Sequence, residues 1–171
     1  CTLKCSQCAR TERIDTNQPM PKTDMSLDHF KKIVKYTEGK TQLNMCGTWG
    51  DPVFNLDFIH MLEHAYEKGA PVSISHAASH QPESFYDKAY AANPDATWIF
   101  GIDGLPEESH KYRVNQDGVK LFNMMLKGNR LGVKVQWQYI VFNYNNTHMK
   151  LAKKLCKKHK LEIVFIHTKR K

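Results

Sequence analysis

The sequence predicts an α/β protein whose parallel strands form a closed or nearly closed β/α barrel. Helical and strand patterns alternate along nearly the whole chain, and several strands carry one apolar and one polar face. Strands separated by helices are typical of βαβ units and of a parallel sheet. Parallel strands covered on both faces by helices would be apolar throughout, so the polar faces indicate the lining of a cavity.

Periodicity and terminal signals place helices and strands in alternation. The predicted helices cover residues 26–39, 55–68, 82–92, 116–127 and 147–160, and the predicted strands cover residues 41–46, 72–76, 97–102, 133–142 and 161–166. Gly39, Gly69 and Gly128 are interpreted as helix stops. With 171 residues, 41% of them hydrophobic, the chain suits one domain spanning residues 1–171.

The strand at 133–142 shows the two faces most clearly. Its apolar face carries Val133, Val135, Trp137, Tyr139 and Val141, and its polar face carries Lys134, Gln136 and Gln138. In the same way Ser73 and Ser75 alternate with Val72 and Ile74. The apolar faces are predicted to pack on helices and the polar faces to line the barrel interior.

Composition narrows the cellular setting. No run of eighteen apolar residues and no signal peptide are present, which predicts no association with a membrane. Three of the five cysteines lie within the first eight residues, a pattern that favours metal binding in a reducing, cytoplasmic compartment over a disulfide framework. Because the chain starts on a cysteine without an initiator methionine, we expect it to be a fragment of a longer protein.

The net charge of +8 is concentrated at one end of the chain. Residues 1–149 hold 16 basic and 16 acidic side chains, whereas residues 150–171 hold nine basic residues and only Glu162. Such a run predicts either a partner that is nucleic acid or another polyanion, or a solvated helix face. Apolar residues that include Leu155 and Cys156 recur at helical spacing opposite the lysines, so the solvated face, with Cys156 in the core, is the favoured interpretation.

The cysteines at positions 1, 5 and 8 form a C-x3-C-x2-C motif. Three thiolates can hold three corners of a [4Fe-4S] cluster and leave its fourth iron open to a ligand that is not protein. Half of a zinc site or a chance grouping is the alternative. The spacing resembles that of the radical S-adenosylmethionine (SAM) enzymes. The resemblance implies that Cys1, Cys5 and Cys8 bind the cluster and that the open iron chelates SAM.

A second motif follows the strand at 41–46. The sequence Cys46-Gly47-Thr48-Trp49-Gly50-Asp51-Pro52 resembles the G-G-E-P element of the family, in a G-x-x-G-D-P variant. The resemblance implies that this turn offers backbone groups to the amino group of SAM, with Gly50 allowing close approach. The implied cofactor-binding residues here are Gly47, Trp49, Gly50, Asp51 and Pro52. Cys46 is interpreted as a core residue at the strand end, and an ordinary Gly-Asp-Pro turn is the alternative for the motif.

Three further positions resemble family elements that contact SAM. Asp103 lies in a Gly-Ile-Asp-Gly stretch that, with His110 and Arg113 downstream, is similar to the family's S-x-D-G with its downstream His and Arg, although Gly101 stands where the family usually has serine. Ser75 begins a Ser-His-Ala stretch where many members read S-T-N. Gln138 lies on the polar face of the longest strand, as in members that carry a SPASM or twitch extension. His76 and His80 are considered as acid–base groups, but a surface or core position is the favoured account.

The resemblance covers residues 1 to about 165 and implies a partial (β/α)6 radical SAM barrel that lacks its first strand. It implies reductive cleavage of SAM to a 5'-deoxyadenosyl radical, which abstracts hydrogen from a substrate, most simply a peptide or protein. A flavodoxin- or ferredoxin-like protein would supply the electron. Two alternatives remain open: a nucleoside- or nucleic-acid-modifying enzyme that uses the basic residues 150–171, and a non-catalytic iron–sulfur or zinc scaffold. No residue is assigned to catalysis of the substrate reaction.

Overall fold

The computed structural model describes residues 1–21, 24–47 and 49–168, and it shows a single five-stranded sheet with helices in between. The elements are, in chain order, α1 (Ala9–Asp15), α2 (Leu27–Tyr36), β1 (Leu43–Cys46), α3 (Phe58–Glu67), β2 (Val72–His76), α4 (Glu83–Ala92), β3 (Thr97–Gly101), α5 (Gly118–Arg130), β4 (Lys134–Val141), α6 (Met149–His159) and β5 (Glu162–His167). Within the described ranges, no helix is long and apolar enough to cross a membrane.

All five strands are parallel and lie in the order β1-β2-β3-β4-β5. In the described part of the chain, β1 and β5 each pair with one neighbour only, so the sheet is an open, partial barrel rather than a closed one. Because the strands are parallel, their carboxyl ends all lie on one edge. That edge is where α/β proteins position their ligand sites.

The predicted division into an apolar and a polar strand face is confirmed. The apolar face packs against the helices, and its largest fully buried side chains include Ile74, Trp98, Phe100, Trp137 and Tyr139. On the opposite face, Ser73, Ser75, Gln136 and Gln138 are only partly buried. Only one face of the sheet is therefore filled by core packing, and the other is left available for a ligand.

Two local predictions differ from the structure. Gly128 does not end a helix: α5 continues to Arg130, and Gly132 follows with a positive φ of 85°. A Cβ at Gly128 would lie 3.1 Å from both Tyr90 and Val135, so this glycine lets α5 pack closely against α4 and β4. Helix α1, directly after the cysteines, was not predicted, because its seven residues carry no clear apolar period.

Candidate functional site

A cleft of about 250 Å³ lies at the carboxyl edge of the sheet. Nine of the residues predicted to bind the cluster or SAM line it: Cys1, Cys5, Cys8, Gly47, Trp49, Gly50, Asp51, Ser75 and Gln138. Pro52 and Asp103 do not. Pro52 instead lines an adjoining cavity of about 740 Å³, and Asp103 is fully buried beside the cleft. The cleft thus brings together residues from four separate segments of the chain.

The cysteine segment is held against the loops that follow β2 and β3. The Lys4 N–H donates to the carbonyl of Val114 at 3.0 Å, and the Thr2 hydroxyl lies 2.7 Å from Nδ1 of His80. Leu3 is buried between them, with 3% of its surface exposed. These contacts fix the main chain from which Cys1 and Cys5 project.

Cys5 and Cys8 close a turn that leads into α1, because the Cys8 N–H donates to the Cys5 carbonyl at 3.1 Å. All three cysteines of the motif are free thiols and partly buried. Burial raises the pKa of the Cys5 thiol, while the positive charge of Arg113 acts in the opposite direction. A cation near a thiol stabilises its thiolate, which is the form that binds metal.

Within the described ranges, no group of three or more His, Cys, Asp or Glu side chains is placed to hold a single metal ion. A [4Fe-4S] cluster makes a different demand, because its cysteine ligands bind separate irons and surround a group several ångströms wide. Three partly buried thiols on the wall of one cleft meet that demand. The donor set therefore fits a cluster better than a single ion.

The turn after β1 is fastened to the end of β2 by Asp51. Its Oδ2 accepts hydrogen bonds from the N–H groups of Ala77 at 2.9 Å and Ala78 at 3.0 Å. The side chain of Asp51 is thus occupied by the protein main chain, and its backbone remains on the cleft wall. Thr48, within the same motif, lies outside the described residues.

Gly47 is the residue at which backbone atoms of this turn approach each other closely. A Cβ at Gly47 would collide with the carbonyl of Gly50, whereas a Cβ at Gly50 would have no heavy atom within 4 Å. Trp49 is held from the other side by Arg13, whose Cζ lies 4.8 Å from the indole ring. The turn is therefore held by the hydrogen bonds that Asp51 accepts and by one cation–π contact, and Gly47 allows its close backbone approach.

Asp103 joins β3 to β4 and holds a cation in the cleft. Its Oδ1 accepts the N–H of Ile140 at 2.9 Å, and its Oδ2 lies 2.7 Å from Nε of Arg113. Asp103 is 0% exposed and the Arg113 side chain 14% exposed, so the ion pair is largely shielded from water. Arg113 lines the cleft although Asp103 does not, so Asp103 acts on the cleft through Arg113.

Gly101 gives Arg113 the space that it occupies. A Cβ at position 101 would lie 2.9 Å from Nη2 of Arg113, so a serine there would displace the guanidinium. From the sequence, Arg113 was noted only as the arginine downstream of the Gly-Ile-Asp-Gly stretch and was not placed in the site, because nothing in the sequence shows that Gly101 leaves this space open.

Ser75 and Gln138 lie on the open face of the sheet, in β2 and β4, on either side of β3. Gln138 pairs in register with Gly101, and Ser75 pairs with Ile99, which also lines the cleft. Both side chains are partly buried. The side-chain amide of Gln116 links the ends of β2 and β3, because its Nε2 donates to the carbonyls of Ala77 at 2.6 Å and Gly101 at 2.9 Å.

The structure also places the histidine and cysteines that were interpreted as core residues. His76 is buried against Tyr86, Trp98 and Phe100 and reaches the wall of the cleft, and burial lowers its pKa to about 4, so it is neutral. Cys156 lies in the core as predicted, and burial raises its pKa to about 11. The prediction of a core position for Cys46 is wrong: it is exposed and lines the cleft, because it ends the edge strand.

A second polar cluster lies further along the carboxyl edge, around Glu108. Its carboxylate contacts Nδ1 of His148 at 2.7 Å and Nζ of Lys111 at 3.4 Å, and it accepts the N–H of Leu105 at 2.9 Å. Burial would raise the pKa of Glu108, but the hydrogen bonds from His148 and Leu105 outweigh it and hold that pKa below its usual value. Glu108 is therefore ionised near neutral pH.

Comparison with known proteins supports the fold. No protein-family model matches the chain, and no curated protein does. SuiB of Streptococcus suis matches with a TM-score of 0.78 at 14% identity, over 100% of this chain and 38% of SuiB. SuiB bound to S-adenosylmethionine matches with a TM-score of 0.79 at 13% identity, over 100% and 39% of the two chains. AnSMEcpe with bound AdoMet and the Cp18Cys peptide matches with a TM-score of 0.73 at 16% identity, over 98% and 47%.

These matches are to proteins that are longer than this chain, which spans between about two fifths and one half of their length. Methylornithine synthase (PylB), at 17% identity and a TM-score of 0.72, is covered over 50% of its length. Identities this low show a shared fold and no residue-level equivalence. The predicted partial radical SAM barrel is confirmed as a fold, and the SPASM or twitch extension stays a prediction.

Proposed function

We propose that the cleft binds a [4Fe-4S] cluster and SAM, and that the protein is a radical SAM enzyme. The observation that carries this proposal is the meeting of three cysteines, the turn after β1, and Arg113 on the wall of one cleft. When bound, the cluster and SAM would supply the electron transfer that cleaves SAM to methionine and a 5'-deoxyadenosyl radical. The shared fold with SAM-bound structures supports the same assignment.

Different residues of this chain would bind the cluster and the different charged groups of SAM. Cys1, Cys5 and Cys8 hold the cluster and leave one iron open, and the turn at 47–52 offers main-chain carbonyls to the amino group of SAM. Two arginines line the cleft, Arg10 and Arg113. Arg10 donates to the carbonyl of Leu3, so we assign the guanidinium of Arg113 to the carboxylate of SAM, because arginine binds carboxylates with two parallel hydrogen bonds. Asp103 keeps that guanidinium in place through the buried ion pair.

Ser75 and Gln138 are the polar side chains on the open face nearest to this group of residues. A hydroxyl and an amide can both donate and accept hydrogen bonds, so they suit the uncharged polar parts of SAM, its ribose and its adenine. Ile99 lies between them in the sheet and offers an apolar surface for the adenine ring. Together these residues would orient the nucleoside across the sheet.

A peptide or protein is the substrate class that we propose. SuiB has been solved with its precursor peptide SuiA, with a TM-score of 0.78 to this chain, and anSMEcpe has been solved with the Cp18Cys peptide. A flavodoxin- or ferredoxin-like protein is the proposed electron donor. Hydrogen abstraction from a carbon of the peptide would then follow the cleavage of SAM.

The test is the formation of 5'-deoxyadenosine by the full-length protein, reconstituted anaerobically and reduced with dithionite. It should hold about four irons per chain and should form 5'-deoxyadenosine slowly without any added substrate. Cys5→Ala should lose both the cluster and the product, because two cysteines cannot fix the cluster with one open corner.

Cys46→Ala is the matched control, since Cys46 is an exposed thiol on the same cleft that the proposal does not use. It should keep about four irons. Stoichiometric zinc in place of iron, or an intact and reducible cluster that yields no 5'-deoxyadenosine, would favour the scaffold alternative. Loss of the cluster in Cys46→Ala would show that the ligand set is wrong.

A further inference from the structure

Helix α6 presents a surface of lysines that the cofactor cleft does not use. Its members, which we call the α6 basic surface, are all exposed: Lys150, Lys153, Lys154, Lys157, Lys158 and Lys160. In the part of the chain that the structure describes, none of the six forms a salt bridge, whereas Lys40, Lys111 and Lys127 each do. Lys153 alone has a cation–π contact, with Nζ 5.4 Å from the ring of Phe165.

This arrangement costs stability without a folding benefit. Lysines three and four positions apart are neighbours on a helix surface and repel each other, which destabilises the helix. The core already holds α6 through Ala152 and Cys156, which are 0% and 3% exposed. A solvated helix face would be served equally well by mixed charges, as on α3, where Glu63 and Glu67 occur beside the histidines. An anionic partner would offset the repulsion.

The positive surface continues around the edge of the sheet opposite the cleft. Helix α6 runs back from the carboxyl end of β4 to the amino end of β5, so Lys160 lies at the amino edge. There Lys160 and Lys134 line a cavity of about 430 Å³ together with Asn129. Its acidic member, Glu162, accepts a hydrogen bond from Nε2 of Gln136 at 3.1 Å. The cavity therefore extends the row of lysines rather than interrupting it.

We propose that the α6 basic surface docks the sugar–phosphate backbone of a double-stranded nucleic acid. Lysines on one face of an 11-residue helix lie in a line about 15 Å long, which suits a regular row of phosphates. Protein interfaces are enriched in aromatic residues, methionine and arginine and depleted in lysine, so an acidic protein suits this face less well.

Two other anionic partners are disfavoured by the same surface. A membrane-binding amphipathic helix inserts its apolar side into the bilayer, but the apolar side of α6 includes the buried residues Ala152 and Cys156. Single-stranded nucleic acid is gripped by aromatic side chains that stack on bases, and the sequence of α6, MKLAKKLCKKH, contains no Phe, Tyr or Trp. The partner that best fits this surface is therefore a duplex whose sugar–phosphate backbone is contacted and whose bases are not recognised.

The experiment measures binding of a fluorescent 20-base-pair DNA duplex and an RNA duplex of the same length to the full-length protein. Binding should weaken with rising salt, because counterions are released from the phosphates. The triple variant Lys150→Glu, Lys154→Glu, Lys157→Glu should weaken binding at least about tenfold, and its log–log salt dependence should fall by about two to three units. The corresponding glutamine variant should show a smaller change in the same direction.

The matched control is Lys31→Glu, Lys32→Glu, Lys35→Glu on α2, which removes the same charge from another exposed helix face. It should bind the duplexes within about twofold of wild type. Equal weakening by the two triple variants would overturn the proposal, because net charge alone would then explain binding. Tighter binding of poly-L-glutamate than of either duplex would also overturn it and would indicate an acidic protein partner. Basal 5'-deoxyadenosine formation should be unchanged in both variants, so this proposal and the proposed enzyme activity can fail independently.

Discussion

Two loops at the carboxyl edge each place an aspartate against the neighbouring strand, but they do so in different surroundings. Asp51, after β1, accepts the N–H groups of Ala77 and Ala78 at the end of β2 and is partly exposed on the cleft wall. Asp103, after β3, accepts the N–H of Ile140 in β4 and is fully buried beside a cation.

The difference shows how one residue type can serve two purposes at equivalent places. Asp51 fixes the position of a turn whose main chain faces the cleft. Asp103 fixes the position of a side chain, Arg113, whose guanidinium faces the cleft. In both loops the carboxylate itself is engaged by the protein, so we expect neither aspartate to be a direct ligand of SAM through its side chain.

The largest effect is expected from Asp103→Ala. It leaves the guanidinium of Arg113 without its counter-charge and the N–H of Ile140 without its acceptor, and removing one partner of a buried ion pair typically costs about 3–5 kcal/mol. Chemical denaturation of the anaerobic full-length protein would measure this loss. Asp103→Asn keeps an acceptor for Ile140 and should lose less. A change below about 1 kcal/mol for Asp103→Ala would contradict the buried ion pair.

Asp51→Ala should destabilise the protein by a smaller amount, about 1–3 kcal/mol. Two main-chain N–H groups, those of Ala77 and Ala78, would lose their acceptor, but water can reach this side of the cleft because Asp51 is partly exposed. The same denaturation series would give the value. If Asp51→Ala proved more damaging than Asp103→Ala, the ranking by burial that we draw between the two loops would be wrong.

Gly101→Ala tests the space around Arg113. The added Cβ would lie 2.9 Å from Nη2, and because the end of a side chain can move, the fold should be nearly unchanged. SAM affinity should fall about tenfold, the loss of one charge-assisted hydrogen bond. In the background of Arg113→Gln, the Gly101→Ala change should cause little further loss, because the two positions act through one contact. If the losses of SAM affinity in this double-mutant cycle were additive, Gly101 and Arg113 would act independently and the prediction would be wrong.

The smallest effect concerns pH and Glu108, in the same loop as Asp103. The folded pKa of Glu108 is held below its unfolded value, so its contribution to stability is present above the unfolded pKa. That contribution is lost as pH falls through the folded pKa. His148 and Lys111 are partly exposed, which limits the effect to about 1 kcal/mol or less. Thermal unfolding of wild type and Glu108→Gln between pH 6 and 3 should converge at the acidic end, and parallel curves would rule out this contribution.

Features set by residues close together in the sequence could be predicted, and features set by contacts between distant segments could not. The alternation in β4 predicted which side chains are buried, because a strand repeats every two residues and its neighbours do not alter that period. Gly128 was misread as a helix stop, because only the packing against Tyr90 and Val135 shows that the helix continues past it.

The candidate site followed the same rule. The three cysteines, the turn after β1 and Gln138 were predicted together because each belongs to a local motif, and the structure brings them to one cleft. Arg113 was noted in its motif but not placed in the site, and the burial of Asp103 was not predicted, because both depend on the space above Gly101 and on the register of β3 and β4. Contacts between distant segments leave no local signal in a single sequence.

The most direct test of the central claim is the EPR spectrum of the reduced full-length protein with and without SAM. We expect a [4Fe-4S] signal that changes when SAM is added, because SAM would bind the iron that Cys1, Cys5 and Cys8 leave open. In Arg113→Gln the same cluster signal should require a higher concentration of SAM for the change. A cluster signal that saturating SAM leaves unaltered in the wild-type protein would contradict the claim that this cleft brings the two together.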